Sequence, residues 1–315
     1  MTAMPRVTVL GSMNMDISVT VPRLPGPGAT VLGSAARFAP GGKGGNQAVA
    51  AARLGARARM AGCAGDDDFG ARLTAALAAE AVDVAAVRVV PEVASGLALI
   101  TVGTDGENTI TVAPGANRSV GERDVAAALD RPADVLIVSA EIPVPAIAAA
   151  LAGARARHVA CLLNLAPAPA GAASLLSGPA GPVDWLVVNE SEASAVLGRP
   201  VAGLDVAHAA AIALTDLAVH AVVTAGAEGA AFSGPDGDGA VPGFPVHAVD
   251  SVGAGDTFVG ALAVARGLGV PAAAAVRAAC AAAAVAATRR GTQEAMPRPE
   301  DVQSVTGVAW PPAAG

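Results

Sequence analysis

Aromatic residues are nearly missing from this chain: among 315 residues there are two Trp, five Phe and no Tyr. Charge is also sparse, at 15% of residues with a formal net charge of −7, and no Lys/Arg block stands out. Nucleic-acid binding calls for a basic face and stacking rings, so both absences exclude it. The three cysteines, Cys63, Cys161 and Cys280, are far apart and form no CxxC; the four histidines form no HxxxH. A disulfide scaffold and a zinc site are thereby excluded. Long apolar runs are absent as well. The opening MTAMPRVTVLG is too short for a signal-peptide core, and residues 278–287, flanked by Arg277, Arg289 and Arg290, are too few to cross a bilayer. That second run is expected to be a buried helix, and the chain to be a cytoplasmic protein with no membrane partner.

What is present is a globular composition, 53% hydrophobic, in a chain long enough for one large domain or two ordinary ones. Short apolar runs at 7–10, 134–138, 159–164, 185–188 and 221–224 read as buried strands. Stretches at 47–54, 147–156 and 206–217 suit helices, the first ending at Gly55. This alternation predicts an α/β fold with a mostly parallel central sheet covered on both faces. Residues 17–38 and 96–112 break the rhythm with β-type alternation and Gly/Pro turns, and Asp105-Gly106 resembles a hairpin turn. Together they predict a small β lid, spanning about 15–40 and 95–117 of a single domain over 1–308, with a frayed tail at 309–315.

Several motifs carry candidate chemistry. Gly253, Ala254, Gly255 and Asp256 follow an expected strand at 244–249 and open an apolar helix at 257–265. Small residues at a helix N-terminus leave backbone N–H groups approachable, which makes an anion hole for phosphoryl oxygens, and Asp256 at its rim can accept a proton from an attacking hydroxyl. The alternative is a Gly-rich turn with Asp capping a helix. In GGKGGNQ, residues 41–47, glycines let backbone approach a ligand while Lys43 and Asn46 supply donors; a flexible loop is the alternative. Gly44 stands where a Walker A motif needs Ser or Thr. In GSMNMD, residues 11–16, Asn14 and Asp16 fall on one face of a chain continuing the first strand, suited to neighbouring sugar hydroxyls or else to a turn. Asn189 and Glu192 form either an ordinary capping box or a support for Mg²⁺ and phosphate. Thr224, Ala225, Gly226, Ala227, Glu228 and Gly229 form a turn that can meet a nucleotide.

The order and spacing of these motifs resemble the ribokinase (PfkB) family of sugar kinases, which also holds adenosine kinase and fructokinases. GGKGGNQAVAAARLGA is similar to that family's N-terminal signature and DSVGAGDTFVGAL, residues 250–262, to its C-terminal one; GSMNMD and APGAN, residues 113–117, also resemble it. The resemblance implies a three-layer sandwich with a β lid, ATP with Mg²⁺ as phosphoryl donor, and D-ribose as the sugar, giving ribose 5-phosphate and ADP. It assigns Asn14, Asp16, Gly42, Lys43, Asn46, Glu141 and Asp256 to the sugar, Asp256 also as catalytic base, and Gly253, Ala254 and Gly255 to the anion hole. Asn189, the 224–229 turn, Gly255 and Cys280 would meet ATP, and Glu192 would belong to an Asn-x-x-Glu element associated with Mg²⁺. K⁺ or another monovalent cation would be held by Asp250, Val252, Ala286, Arg289, Gly291 and Ala295. Two departures stand out: Ala295 replaces a Ser that often helps hold the cation, and Cys280 replaces a commoner His or Asn. The open edges of the lid invite pairing, and the resemblance likewise implies a homodimer.

Rival readings remain at this point. A sibling kinase acting on deoxyribose, another pentose, a ketohexose or a nucleoside differs by a few pocket side chains. A non-catalytic sugar-binding protein on the same fold would show a degraded Asp256 motif, and here it is intact. An NAD-dependent dehydrogenase needs GxGxxG after the first strand, which leads into GSMNMD instead.

Overall fold

Strands that are apolar on both faces need a layer on each side. The computed structural model, which describes residues 4–105, 107–178 and 181–311, supplies both layers. In chain order the strands are β1 (Arg6–Leu10), β2 (Asn14–Val21), β3 (Arg37–Gly41), β4 (Arg57–Gly65), β5 (Asp83–Val90), β6 (Gly96–Gly103), β7 (Asn108–Ala113), β8 (Val135–Ser139), β9 (Ala160–Asn164), β10 (Val183–Asn189), β11 (Ala218–Thr224), β12 (Gly229–Gly234) and β13 (Gly237–Pro242). The helices are α1 (Lys43–Arg53), α2 (Asp68–Ala79), α3 (Glu122–Ala128), α4 (Val144–Ala156), α5 (Ala172–Leu176), α6 (Glu190–Leu197), α7 (Leu204–Leu214), α8 (Ala254–Gly267), α9 (Ala272–Ala287) and α10 (Pro299–Thr306).

Nine strands form one sheet in the order β13-β12-β11-β10-β9-β8-β1-β4-β5. From β11 to β5 every neighbouring pair is parallel, and β12 and β13 add an antiparallel edge. Alternation splits the core in two. Val7, Val9, Ile137, Leu162 and Val187 face the layer of α1, α2, α8, α9 and α10. Leu10, Leu136, Val138, Leu163 and Val188 face the layer of α3 to α7. Alanine-rich helices pack closely here: a side-chain carbon added at Gly260 of α8 would lie 2.6 Å from the Ala50 methyl of α1.

The lid is a separate four-stranded sheet in the order β3-β2-β6-β7, with β2 and β6 parallel and the outer pairs antiparallel. Its β6–β7 hairpin encloses the expected Asp105-Gly106 turn, where the Asp105 carboxylate accepts from the Glu107 N–H at 3.2 Å; Gly106 lies outside the described residues. No helix among the described residues is long and apolar enough to cross a membrane, and the 278–287 run lies within the buried α9.

Four expectations need correction. Asn14 and Asp16 do not continue the first strand: β1 stops at Leu10, and both belong to lid strand β2. The helix expected from Gln47 begins at Lys43. Residues 244–249 are not a strand, because the β12–β13 ladder ends at Pro242 and Pro245 has no N–H to extend it; the Val249 and Asp250 N–H groups both donate to the Ala287 carbonyl instead, at 2.8 and 3.2 Å. Trp310, in the tail expected to fray, donates its indole N–H to the Leu54 carbonyl at 2.8 Å and packs on the core, while 312–315 lie outside the described residues.

Candidate active site

The C-terminal ends of β1, β8, β9, β10 and β11 converge with the N-terminal turns of α1 and α8, the usual place for a ligand in an open α/β sheet. The glycines of GGKGGNQ do not form a loose loop. Gly44 and Gly45 lie in the first turn of α1, and the Gly45 N–H donates to the Ser12 carbonyl at 2.9 Å. A side-chain carbon at Gly44 would lie 2.7 Å from the Gly11 carbonyl carbon. Glycine here lets α1 approach the β1–β2 connection, which sets Lys43, Asn46 and Gln47 beside the end of β1.

Asp256 is buried in the first turn of α8 and is gripped from α1. Asn46 Nδ2 donates to its Oδ2 at 2.9 Å and Gln47 Nε2 donates to its Oδ1 at 3.0 Å. Gln47 Nε2 also donates to Asn164 Oδ1 at 2.9 Å, at the end of β9. Burial pushes the Asp256 carboxyl above the ordinary carboxylate range; Lys43 and the two amide donors oppose this, and Glu141 adds to it. Helix geometry leaves the Gly255 and Asp256 N–H groups without intrahelical acceptors, whereas the Ala254 N–H is turned to the Ser251 carbonyl at 3.2 Å. The space where a Gly255 side chain would stand is open.

Next to Asp256 lies a polar wall. Glu141 accepts from the Ser12 hydroxyl at 2.6 Å and from the Lys43 N–H at 3.4 Å. The Asn14 carboxamide oxygen accepts from Asn117 Nδ2 at 2.8 Å; Asn117 also bonds the Met13 N–H and carbonyl at 3.0 and 3.1 Å, pinning the start of β2. Asp16 packs against Gly41, beside Gly42 at the mouth of α1. Its carboxyl is held up at about 7, first by burial, then by Glu141, Asp256 and Glu294, with Lys43 opposing. Burial works against the Lys43 charge, but Asp256, Glu141, Glu192 and Asp16 together outweigh it and raise its pKa.

A cleft of about 140 Å³ continues from Asp256 and is lined also by Lys43, Asn189, Glu192, Thr224 and Gly255 among others. Asn189 and Glu192 form the capping box, with reciprocal bonds of 2.8 Å, and both also line this cleft. Burial raises the Glu192 pKa against the Asn189 N–H and Lys43. A carboxylate with one oxygen committed to the cap suits a divalent ion brought by a nucleotide.

Other expected residues lie apart. The Glu228 carboxylate accepts from the Leu204 N–H at 3.0 Å, at the start of α7 rather than in the cleft, and Ala225 to Gly229 wrap a 3-10 turn after β11. Cys280 is buried in the α9 core, where burial pushes its thiol up to about 12. Asp250 joins two loops, accepting from the Val252 N–H at 3.0 Å and the Gly291 N–H at 3.2 Å. The Arg289 guanidinium, which would repel a cation, is drawn to Asp301 at 2.8 Å. The Ala286 carbonyl accepts from the Arg289 N–H at 3.1 Å, and Ala295 is fully buried with no side-chain oxygen.

Residues 4–299 match the model of pfkB family carbohydrate kinases. The chain belongs to the pfkB family. It is 36% identical to ribokinase from Haemophilus influenzae over 294 residues, 92% of this chain and 95% of that protein. It is 32% identical to deoxyribokinase from Salmonella typhi, again over 92% of this chain and 95% of that protein. The structure of Arabidopsis thaliana ribokinase complexed with ribose and ATP superposes with a TM-score of 0.85 at 28% identity, covering 96% of this chain and 99% of that one. This pfkB chain is a ribokinase-type sugar phosphotransferase. Gln47, Asn117 and Asn164 were not among the expected site residues. The first two lie inside quoted motifs, and only the position of Asn164 at the end of a buried strand could have signalled it.

Proposed function

We propose that this pfkB kinase transfers the γ-phosphoryl group of ATP to the 5-hydroxyl of D-ribose. The observation that carries the reading is the pair of amide donors fixing Asp256 at the opening of α8, with the Asn14, Asp16 and Glu141 wall on one side and the Glu192 cleft on the other. Two substrates entering from those sides meet at Asp256. The sugar lies under the lid against Asn14, Asp16, Gly42, Lys43, Asn46 and Glu141. The nucleotide extends past Asn189 and Thr224 toward the 225–229 turn and Cys280.

Each Asp256 oxygen keeps a lone pair after its amide bond, so the carboxylate can accept the hydroxyl proton as that oxygen bonds to phosphorus and the bond to ADP breaks. A loose transition state lets the proton leave late, which suits a carboxylate base. Gly255 and Asp256 N–H groups at the helix N-terminus, with Lys43, meet the charge on the transferring group. Glu192 would hold Mg²⁺ brought with the nucleotide, which would supply further neutralisation, and K⁺ at the Asp250 loop would stiffen the backbone before Gly253. The lid excludes competing water. Its exposed apolar residues Ile110 and Val112, which share one face of the edge strand, favour a homodimer formed through the lid, and the composition suits a cytoplasmic enzyme.

The test is ADP release across ribose, deoxyribose, other pentoses, ketohexoses and nucleosides. The highest kcat/KM is expected on ribose. The similarity to a deoxyribokinase supports 2-deoxyribose as the second reading, and an equal or higher value on that sugar would overturn the first.

A further inference from the structure

Gln293 follows α9 and touches neither the polar wall nor the Glu192 cleft, yet it is 5% exposed and its amide is committed. Its Nε2 donates to Asn46 Oδ1 at 3.1 Å, and the other end of that carboxamide, Nδ2, donates to Asp256 Oδ2 at 2.9 Å. A carboxamide has one accepting and one donating end, so a half-turn of the Asn46 side chain would present Oδ1 to the base. While Asp256 is ionised it resists that half-turn, because oxygen would face oxygen. Once Asp256 has taken the hydroxyl proton, its own O–H could donate to Oδ1, and the resistance disappears. Gln293 keeps Oδ1 occupied in both states.

Gln293 is itself anchored. Its backbone carbonyl accepts from Arg53 Nη1 at 2.7 Å, and the same nitrogen bonds the Met296 carbonyl at 2.8 Å. Arg53 is held in turn by Glu80 at 2.7 Å. The side chain that orients Asn46 thus hangs from a segment tied to the far ends of α1 and α2.

We infer that Gln293 is a positioning residue for phosphoryl transfer, holding the Asn46 carboxamide with its N–H₂ toward Asp256 before and after the proton moves. The inference rests on Asp256 as the base, which Asp256→Asn tests by itself. The test of Gln293 is a double-mutant cycle with Asn46→Ala, because residues acting through one another are not additive. In the wild-type background Gln293→Met, which keeps bulk and removes the donor, lowers kcat about tenfold, the worth of a hydrogen bond aimed at a charged centre, with KM for ATP unchanged. In the Asn46→Ala background the same change costs less than about twofold. Gln293→Glu, nearly isosteric with glutamine, lowers kcat further than Met, because an acceptor there draws Asn46 Nδ2 away from the base. Should the Met variant fail to fold, the Glu variant is read through the same cycle. Equal losses in both backgrounds, or a rise in KM for ATP matching the fall in kcat, would overturn the inference while leaving Asp256 as base.

Discussion

β8 and β7 are strands of similar length with opposite surroundings: all five residues of β8 are buried, and all six of β7 are exposed. β8 lies near the middle of a sheet with helices on both faces; β7 is the edge strand of the lid and is uncovered on both faces. The nine-stranded body therefore holds Asp256, the helix N-terminus and the cleft in a close-packed frame, while the lid brings Asn14 and Asp16 from the end of β2 that joins that frame. Along β2, Asn14 and Met15 are buried, Asp16 to Val19 are half-buried, Thr20 is exposed and Val21 is buried again, so the end that carries Asn14 is held more firmly than the middle of the strand.

Four substitutions sharpen or break this contrast. The largest effect is expected in the body: Asp256→Asn lowers kcat by roughly 10²–10⁴-fold with ADP binding preserved, measured by steady-state kinetics and calorimetry. Near-wild-type turnover would remove Asp256 from the mechanism. At the lid junction, Asp16→Asn lowers kcat/KM for the sugar by about tenfold and leaves KM for ATP unchanged, because sugar hydroxyls lose an acceptor. The same change alters stability in a pH-dependent way. Asp16 binds its proton more tightly folded, at about 7, than at its ordinary 3.8, so its favourable contribution is complete below about pH 4 and is lost as pH rises through 7. The Asn variant should therefore melt a few degrees higher than wild type at pH 8, by roughly 2–4 °C, and alike at pH 4; equal differences at both pH values would contradict this.

Packing in the body gives the third effect. Gly260→Ala forces a methyl against Ala50 and the Ala51 N–H, and is expected to destabilise by about 1–3 kcal/mol in denaturant melts. On the edge strand of the lid, Ile110→Glu should change that stability by less than about 0.5 kcal/mol while splitting the proposed dimer, read by light scattering. A variant that stays dimeric would place the interface elsewhere.

Much of the frame was legible in the sequence because its signals are local. Apolar runs marked β1, β8, β9, β10 and β11, and the two Gly-rich motifs with GSMNMD marked the ligand end of the sheet. The misreadings arose where neighbours distant in sequence decide. Gly44 looked like room for a ligand and is room for Gly11. Residues 244–249 alternate like a strand but have no ladder to join beyond Pro242.

By itself the sequence determined the family and the alternation of strands and helices, and it marked Asp256 as the proposed base, since each is written in contiguous residues or in motifs of fixed spacing. Only the tertiary structure decided how the base is held. Asn46 is 210 positions from Asp256 and 247 from Gln293, and a hydrogen bond between them depends on α1, α8 and the segment after α9 meeting at one point. Such bonds require distance and direction within a few tenths of an ångström, and no local pattern along the chain encodes that.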